Sequence, residues 1–279
     1  MDSGRRRCGR WMADSYVVMH APEPALNAAV ASLPMYDFAV LHVAHEQLWT
    51  AVRTELAAVG VAAPDDLTHT DDVHELWHDP ALFLSQSCGW PLVTELDGLV
   101  SIIGTFAYDI PSGGDGFYRS VIVATMSASL AALADSVAAV NNFSSLSGWI
   151  SLRVALGGDE HSRPIVLTGS HVGSLVALRS GRAIVAAIDG VTYALLARDQ
   201  PALLDGLVVV GSGPRIPCLP IIGPRTWDRE RVEVVRAAIR AAVMRPELAA
   251  VRAQLLIQRF VPLDAADYAP LLGLVPAVG

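Results

Sequence analysis

Val137-Ala138-Ala139-Val140-Asn141-Asn142-Phe143-Ser144-Ser145-Leu146-Ser147-Gly148-Trp149 passes from an apolar β-like run through a polar turn into a helical pattern that ends at Leu156. A short buried strand feeding directly into a helix is the grammar of a parallel α/β sheet. The turn also bears on chemistry. The first N–H groups of a helix have no partner within it, and the helix dipole places positive potential there. The hydroxyls of Ser144, Ser145 and Ser147 add donors, and Gly148 permits close backbone approach, so the turn can hold an anion. Taken alone, its plainer account is an ordinary serine N-cap.

The same alternation extends outward in both directions. Ala28–Leu33, Leu82–Ser85, Leu99–Thr105, Tyr118–Ala124, Ile165–Thr168, Ala183–Ile188 and Leu207–Val210 read as strands. Ala39–Val59, Pro91–Leu96, Gly148–Leu156, His171–Ser180, Val191–Arg198, Arg229–Met244 and Glu247–Ile257 read as helices. This pattern predicts mostly parallel sheets flanked by helices, and periodicity leaves open whether there is one sheet or two. Ligands of such sheets bind at the carboxyl ends of strands. The candidate turns therefore carry Tyr36 and Asp37, then Ser85–Trp90, then Asn141–Gly148, then Gly169-Ser170-His171, then Asp189-Gly190. A histidine at a helix start can donate to an anion and be held protonated by it, although a lone His is more often just a satisfied polar residue. Asp189 ends an apolar strand, and a helix N-cap and a ligand contact suit it equally.

Composition removes several function classes. The chain has 279 residues, 52 % hydrophobic and 17 % charged, enough apolar content for large cores. Its formal charge is −8, and all 20 basic residues are Arg. An acidic chain without a basic face is a poor nucleic-acid binder. No apolar run reaches the roughly 20 residues of a membrane span, so direct membrane insertion is not expected. Cys8, Cys88 and Cys218 make neither a disulfide framework nor a zinc spacing. Arg5–Arg10 reads as part of a flexible tail over residues 1–28, with no apolar signal segment behind it.

Taken in order, several segments resemble the phosphate, phosphite and phosphonate substrate-binding proteins of ABC importers, the phosphonate-binding branch of the type II periplasmic binding fold. They are Ala31–Asp37, Leu84–Leu92, Tyr118–Val123, Ser145–Trp149, Thr168–Leu175 and Val185–Asp189. The resemblance implies two α/β lobes joined by crossing strands, Tyr118–Ala124 going out and Leu207–Ile222 returning. Lobe I would comprise 29–119 and 208–279, and lobe II 120–207. It implies that a small phosphorus oxyanion, or an alkyl- or aminoalkylphosphonate, is held by Ser145, Ser147, Gly148 and His171. Asp189 would face a ligand amine, and Tyr36, Trp90 and Tyr108 would line the cleft from lobe I. It implies an importer permease as partner, no cofactor, no metal and no catalytic residue. Leu146 departs from the family, which often has Thr or Gln there. The N-terminus as written points to the cytoplasm, and a start further upstream would point to the periplasm.

The competing class is a cytosolic enzyme or ligand sensor on the same scaffold. Ser145, His171 and Asp189 are the residue types of a hydrolase triad, but their order is wrong for an α/β-hydrolase and no Gly-x-Ser-x-Gly elbow is present. Catalysis would need His171 within hydrogen-bond reach of a serine Oγ and an acid behind it. His42 and His45, followed by Glu46, share one helix face without making a His-Glu-x-x-His motif, and read as a solvated face. His69, His74 and His78 lie among Asp71, Asp72, Glu75 and Asp79, and read as a polar surface segment.

Overall fold

The computed structural model describes residues 29–70, 72–157 and 163–274. The expected tail at 1–28 lies outside them, as do Cys8 and Asp71. The chain begins with β1 (Val30–Ala31), α1 (His42–Ala58), α2 (Val73–His78), β2 (Leu82–Gln86), α3 (Gly89–Thr94) and β3 (Val100–Tyr108). It leaves this region through β4 (Phe117–Tyr118). It then forms β5 (Val121–Ala124), β6 (Ala138–Val140), α4 (Ser151–Leu156), β7 (Ile165–Leu167), α5 (His171–Arg179), β8 (Val185–Ile188), α6 (Gly190–Asp199) and β9 (Val208–Ser212). It returns through β10 (Ile216–Pro217) to β11 (Pro220–Pro224), α7 (Arg229–Val243), α8 (Ala249–Leu255), β12 (Ile257–Val261) and α9 (Ala265–Tyr268).

Two five-stranded sheets result, ordered β1-β2-β11-β3-β12 in lobe I and β7-β6-β8-β5-β9 in lobe II, with a two-stranded ribbon β10-β4 between them. The sheets are mixed, where mostly parallel sheets were expected. In lobe I the returning strand β11 runs antiparallel to both β2 and β3, and β12 runs antiparallel to β3. In lobe II the outgoing strand β5 runs antiparallel to β8 and β9. In each sheet a strand of the crossing segment, β5 in lobe II and β11 in lobe I, runs against its neighbours. The expected strand Tyr118–Ala124 divides, since β4 pairs with β10 in the ribbon and β5 pairs in the lobe II sheet. Strand β9 belongs to the second sheet, so the return to lobe I falls after Ser212 and not at residue 208.

The C-terminal helices pack back onto lobe I. In α7 the buried residues Val235, Ala238, Ile239, Ala242 and Val243 form one stripe, and Asp228 caps its start by accepting from the Arg231 N–H. The expected helix Glu247–Ile257 is shorter. It is α8, which stops where Leu256 turns left-handed with φ 54°, and Ile257 begins a strand. The run from Leu255 to Val261 is apolar enough to be helix or strand, and pairing with β3 decides for strand.

Beyond the ribbon and the cavity itself, the lobes also touch through packing and through a cation. Leu146 of lobe II is fully buried against Gly89 of lobe I. A Cβ on Gly89 would lie 2.8 Å from Leu146 Cδ2 and 3.2 Å from Leu271 Cδ1, so a larger residue would hold the lobes apart. Leu146, the departure from the family pattern, thus serves packing between lobes. On the far side Arg198 of α6 donates to the Ala253 and Gln254 carbonyls at the end of α8, at 3.0 and 2.9 Å. A cation on the free carbonyls of a helix C-terminus is a favourable cap.

Candidate functional site

Between the sheets lies a cavity of about 310 Å³. Its lobe II side is made of Asn141, Asn142, Ser144, Ser145, Ser147, the Gly169–Val172 turn, Asp189 and Thr192. Its lobe I side is made of Met35, Tyr36, Phe38, Val73, His74, Trp77, Cys88, Pro91 and Leu219. Among the described residues no Arg lines it.

Three helix starts meet on the lobe II side. A π turn, Leu146–Ile150, runs directly into α4, and Ser145 caps it by accepting from the Gly148 N–H at 3.0 Å. Ser170 caps α5 by accepting from the Gly173 N–H at 2.9 Å. Asp189 caps α6. The first two starts turn positive potential and hydroxyl or imidazole donors toward the cavity, whereas at α6 the Asp189 carboxylate takes up the first N–H groups. Gly148 is required for a reason the sequence hides. A Cβ there would fall 1.7 Å from Asn141 Oδ1, so the close approach Gly148 permits is taken by the Asn141 side chain. Asn141 Oδ1 is buried without a hydrogen-bond partner at the cavity wall.

His171 Nε2 lies 3.1 Å from Ser147 Oγ. Burial pushes the imidazole below its ordinary pKa, against the opposing pull of the Asp189 charge, so without an anion it is neutral near pH 7. The expected protonated state therefore needs a bound anion. The Ser147–His171 contact meets the first requirement of a hydrolytic dyad, but no acid stands behind it. His171 Nδ1 makes no hydrogen bond of standard geometry, and Asp189, the charge nearest in effect, is bonded to other groups through both oxygens.

Asp189 is occupied elsewhere. Its Oδ1 accepts from the Val191 and Thr192 N–H groups, both at 2.9 Å. Its Oδ2 accepts from Tyr118 Oη at 2.6 Å and from Tyr36 Oη at 3.3 Å. The group is almost fully buried, so these four donors replace the lost water. Burial first, and then the nearby Asp189 charge, push both tyrosine pKa values far up and keep them as donors. The expected contact of Asp189 with a ligand amine is not supported by this geometry, because both oxygens are already used. Instead Asp189 joins its own helix, the crossing ribbon and lobe I.

Tyr36 stands at the cavity as expected, but Trp90 and Tyr108 do not line it. Tyr108 lies behind Tyr36, ring edge to ring face at 5.3 Å, with its hydroxyl accepting from Gln86 Nε2 at 3.1 Å. Trp90 packs against the core from the first turn of α3, while its neighbours Cys88 and Pro91 face the cavity. Burial raises the Cys88 pKa despite the Leu146, Trp90 and Gly89 N–H groups around it, so the thiol stays neutral. The aromatic wall comes instead from Phe38 and from Trp77, whose Nε1 donates to the Gln86 carbonyl at 3.1 Å. Trp77 sits on α2, a six-residue helix that no sequence period reveals. Asn141 carried one signal, its place at the end of β6.

Two α/β lobes closing on a cavity floored by helix starts are the architecture of a solute-binding protein. A family model for the periplasmic substrate-binding protein of phosphonate ABC transporters matches residues 85–268, and the chain belongs to that family. Among curated proteins none matches. Among solved structures, a binding-protein component of an ABC phosphonate transporter from Pseudomonas aeruginosa is similar at 17 % identity and TM-score 0.68, covering 88 % of this chain and 84 % of that one. PhnD1 from Prochlorococcus marinus in complex with methylphosphonate is similar at 12 % identity and TM-score 0.67, covering 90 % and 97 %. XAC2383 from Xanthomonas citri bound to chloride is similar at 15 % identity and TM-score 0.67, covering 88 % and 96 %. Such proteins bind a small solute for a permease and are not enzymes. No helix among the described residues is long and apolar enough to cross a membrane.

Proposed function

We propose that this protein captures a small alkylphosphonate in the cavity and passes it to an importer permease. The division of the cavity carries this reading: two helix starts with hydroxyl and imidazole donors on one side, aromatic and aliphatic groups on the other. The phosphoryl oxygens face Ser147, His171 and the turn after β6, and the alkyl group faces Trp77, Phe38 and Met35. Ser145 and Gly148 shape that turn. Phosphate and phosphite suit the donors but leave the apolar wall unmet. An aminoalkyl chain lacks a counter-charge, since Asp189 is fully engaged. The volume of about 310 Å³ fits a ligand at the small end of the usual range of about 300–1,000 Å³. Family membership supports work outside the cytoplasmic membrane, which fractionation of cells carrying the native gene tests.

A thermal-shift panel of methylphosphonate, phosphate, phosphite and methanesulfonate tests the ligand class. At a hundred times Kd a ligand of the folded state adds about 2.7 kcal/mol. For a chain of this size that raises Tm by about 5–10 °C. Methylphosphonate is expected to give the largest shift. A flat response across the panel, or phosphate leading it, overturns the proposal.

A further inference from the structure

Outside the cavity, on the surface of lobe I, three histidines surround one aspartate. Asp37 lies between two short 3-10 turns just before α1, and His42 and His45 stand one helical turn apart at the start of α1. His69 comes from the loop after α1. That loop is pinned beside β1, because the Thr68 N–H donates to the Ala31 carbonyl at 2.7 Å and Ser32 Oγ donates to the Thr68 carbonyl at 2.6 Å. Folding thus brings together residues 32 positions apart. His42 Nε2 is 3.3 Å and His45 Nδ1 3.4 Å from Asp37 Oδ1, and His69 Nδ1 is 2.6 Å from Asp37 Oδ2.

Hydrogen bonding inside the cluster leaves two atoms unsatisfied. Asp37 Oδ1 and His45 Nδ1 are both buried, face each other, and form no hydrogen bond of standard geometry. The His45 side chain is only 7 % exposed, so water does not reach it easily. An orphaned buried polar atom costs about 1–3 kcal/mol. The ligand atoms of Asp37, His42 and His69 lie within 4.8 Å of one another, a spread that small side-chain adjustments bring to the roughly 3.3 Å that a tetrahedral ion with bonds of about 2.0 Å requires. The His42 and His69 rings stack at 4.1 Å, an arrangement that two charged imidazolium rings would oppose and that neutral rings sharing an ion allow. Glu46 Oε1 lies 3.2 Å from His69 Nε2, the outer nitrogen, as a carboxylate does when it orients a metal-bound histidine. His42 and His69 side chains are 39 % and 32 % exposed, which gives an ion a way in and the rings room to adjust.

We propose that Asp37, His42 and His69, whose ligand atoms lie within 4.8 Å of one another, form a binding site for a divalent first-row transition ion of the Zn²⁺ type, with His45 as their buried neighbour. Nitrogen and carboxylate donors without sulfur select this class over Ca²⁺ or Mg²⁺. The ion competes with protons for these donors. It also fixes the turn that carries Tyr36 and Phe38 into the cavity.

Calorimetric titration of the chelator-treated full chain with Zn²⁺ tests this, with the ligand-field absorption of added Co²⁺ as a second readout. One ion per chain is expected. The His42→Ala/His69→Ala double variant is expected to lose affinity by about ten-fold or more and to lose the Co²⁺ bands. His78→Ala, outside the cluster, is expected to bind as the parent does. Circular dichroism verifies that each variant is folded, and His69→Gln alone, on its exposed loop, serves if the double variant is not. Absence of saturable binding, or equal affinity in parent and cluster variants, overturns the site. The outcome is independent of whether methylphosphonate binds in the cavity.

Discussion

The two walls of the cavity are made in different ways. The lobe II wall is a set of strand-to-helix turns, each fixed by local rules: a buried strand, a serine or aspartate cap, a helix start. The lobe I wall is a collection of side chains from a 3-10 turn, the six-residue α2 and the loop before α3, brought together only by packing. One wall offers charge recognition by dipoles and hydroxyls. The other offers shape and apolar surface. A ligand with an anionic head and a short alkyl tail meets both, so the contrast predicts which substitutions cost affinity and which change selectivity.

The largest expected effect breaks the polar wall. Ser147→Ala combined with His171→Ala removes a hydroxyl and the imidazole that touches it. Two hydrogen bonds to a charged ligand, at about 1.5–3 kcal/mol each, correspond to a loss of about 100-fold or more in methylphosphonate affinity. Calorimetry checks this, and unchanged affinity would move the anion site elsewhere. A smaller effect sharpens the contrast. Trp77→Leu should narrow the preference for methylphosphonate over phosphate by about ten-fold, since losing apolar contact to one methyl group is worth about 1–3 kcal/mol. Trp90→Leu should leave that ratio unchanged, and a drop there as large as for Trp77 would contradict the lining described above.

The smallest effect concerns acid. Burial lowers the His171 pKa in the folded chain, so the folded state holds fewer protons than the unfolded one below the ordinary value of about 6.5. Its contribution to stability is complete above about pH 6.5 and is lost as the pH falls through the folded value. His69 has the opposite sign, because its hydrogen bond to Asp37 raises its pKa. That contribution is complete below about pH 6.5 and is lost as the pH rises through the folded value. Melting curves of ligand-free protein should therefore show a shallower acid decline for His171→Asn and not for His69→Asn. The reverse order would show that the polar wall is not what burial of His171 implies.

The same contrast explains what the sequence made legible. Ser145, Ser147, His171 and Asp189 stand at ends of strands, where residue type and position coincide, and all four line one cavity. Trp90 and Tyr108 failed because chain position does not give side-chain direction: one faces the core and the other stands behind Tyr36. Cys88 was legible within the Ser85–Trp90 turn and Trp77 only as core or cleft packing, while Phe38 was not singled out, since tertiary packing alone aims it. The two lobes were legible through ordered motifs, not through periodicity, and β12 was lost because its apolar run fits a helix as well as a strand. The histidines around Asp37 looked like solvated surface because His69 reaches them through the pinning of Thr68 to β1.

Asp189 has a further consequence for the balance between open and closed forms. Tyr118, its shorter hydrogen-bond donor, belongs to the ribbon about which the lobes are joined, and Tyr36 belongs to the opposite lobe. A swing that parts the lobes would release Tyr36 alone and leave the carboxylate with three donors. Opening would then strand no buried charge, and closing would gain only one long hydrogen bond there. A latch so lightly sprung leaves the position of the equilibrium to whatever occupies the cavity, which is the condition under which the protein's shape can report its load.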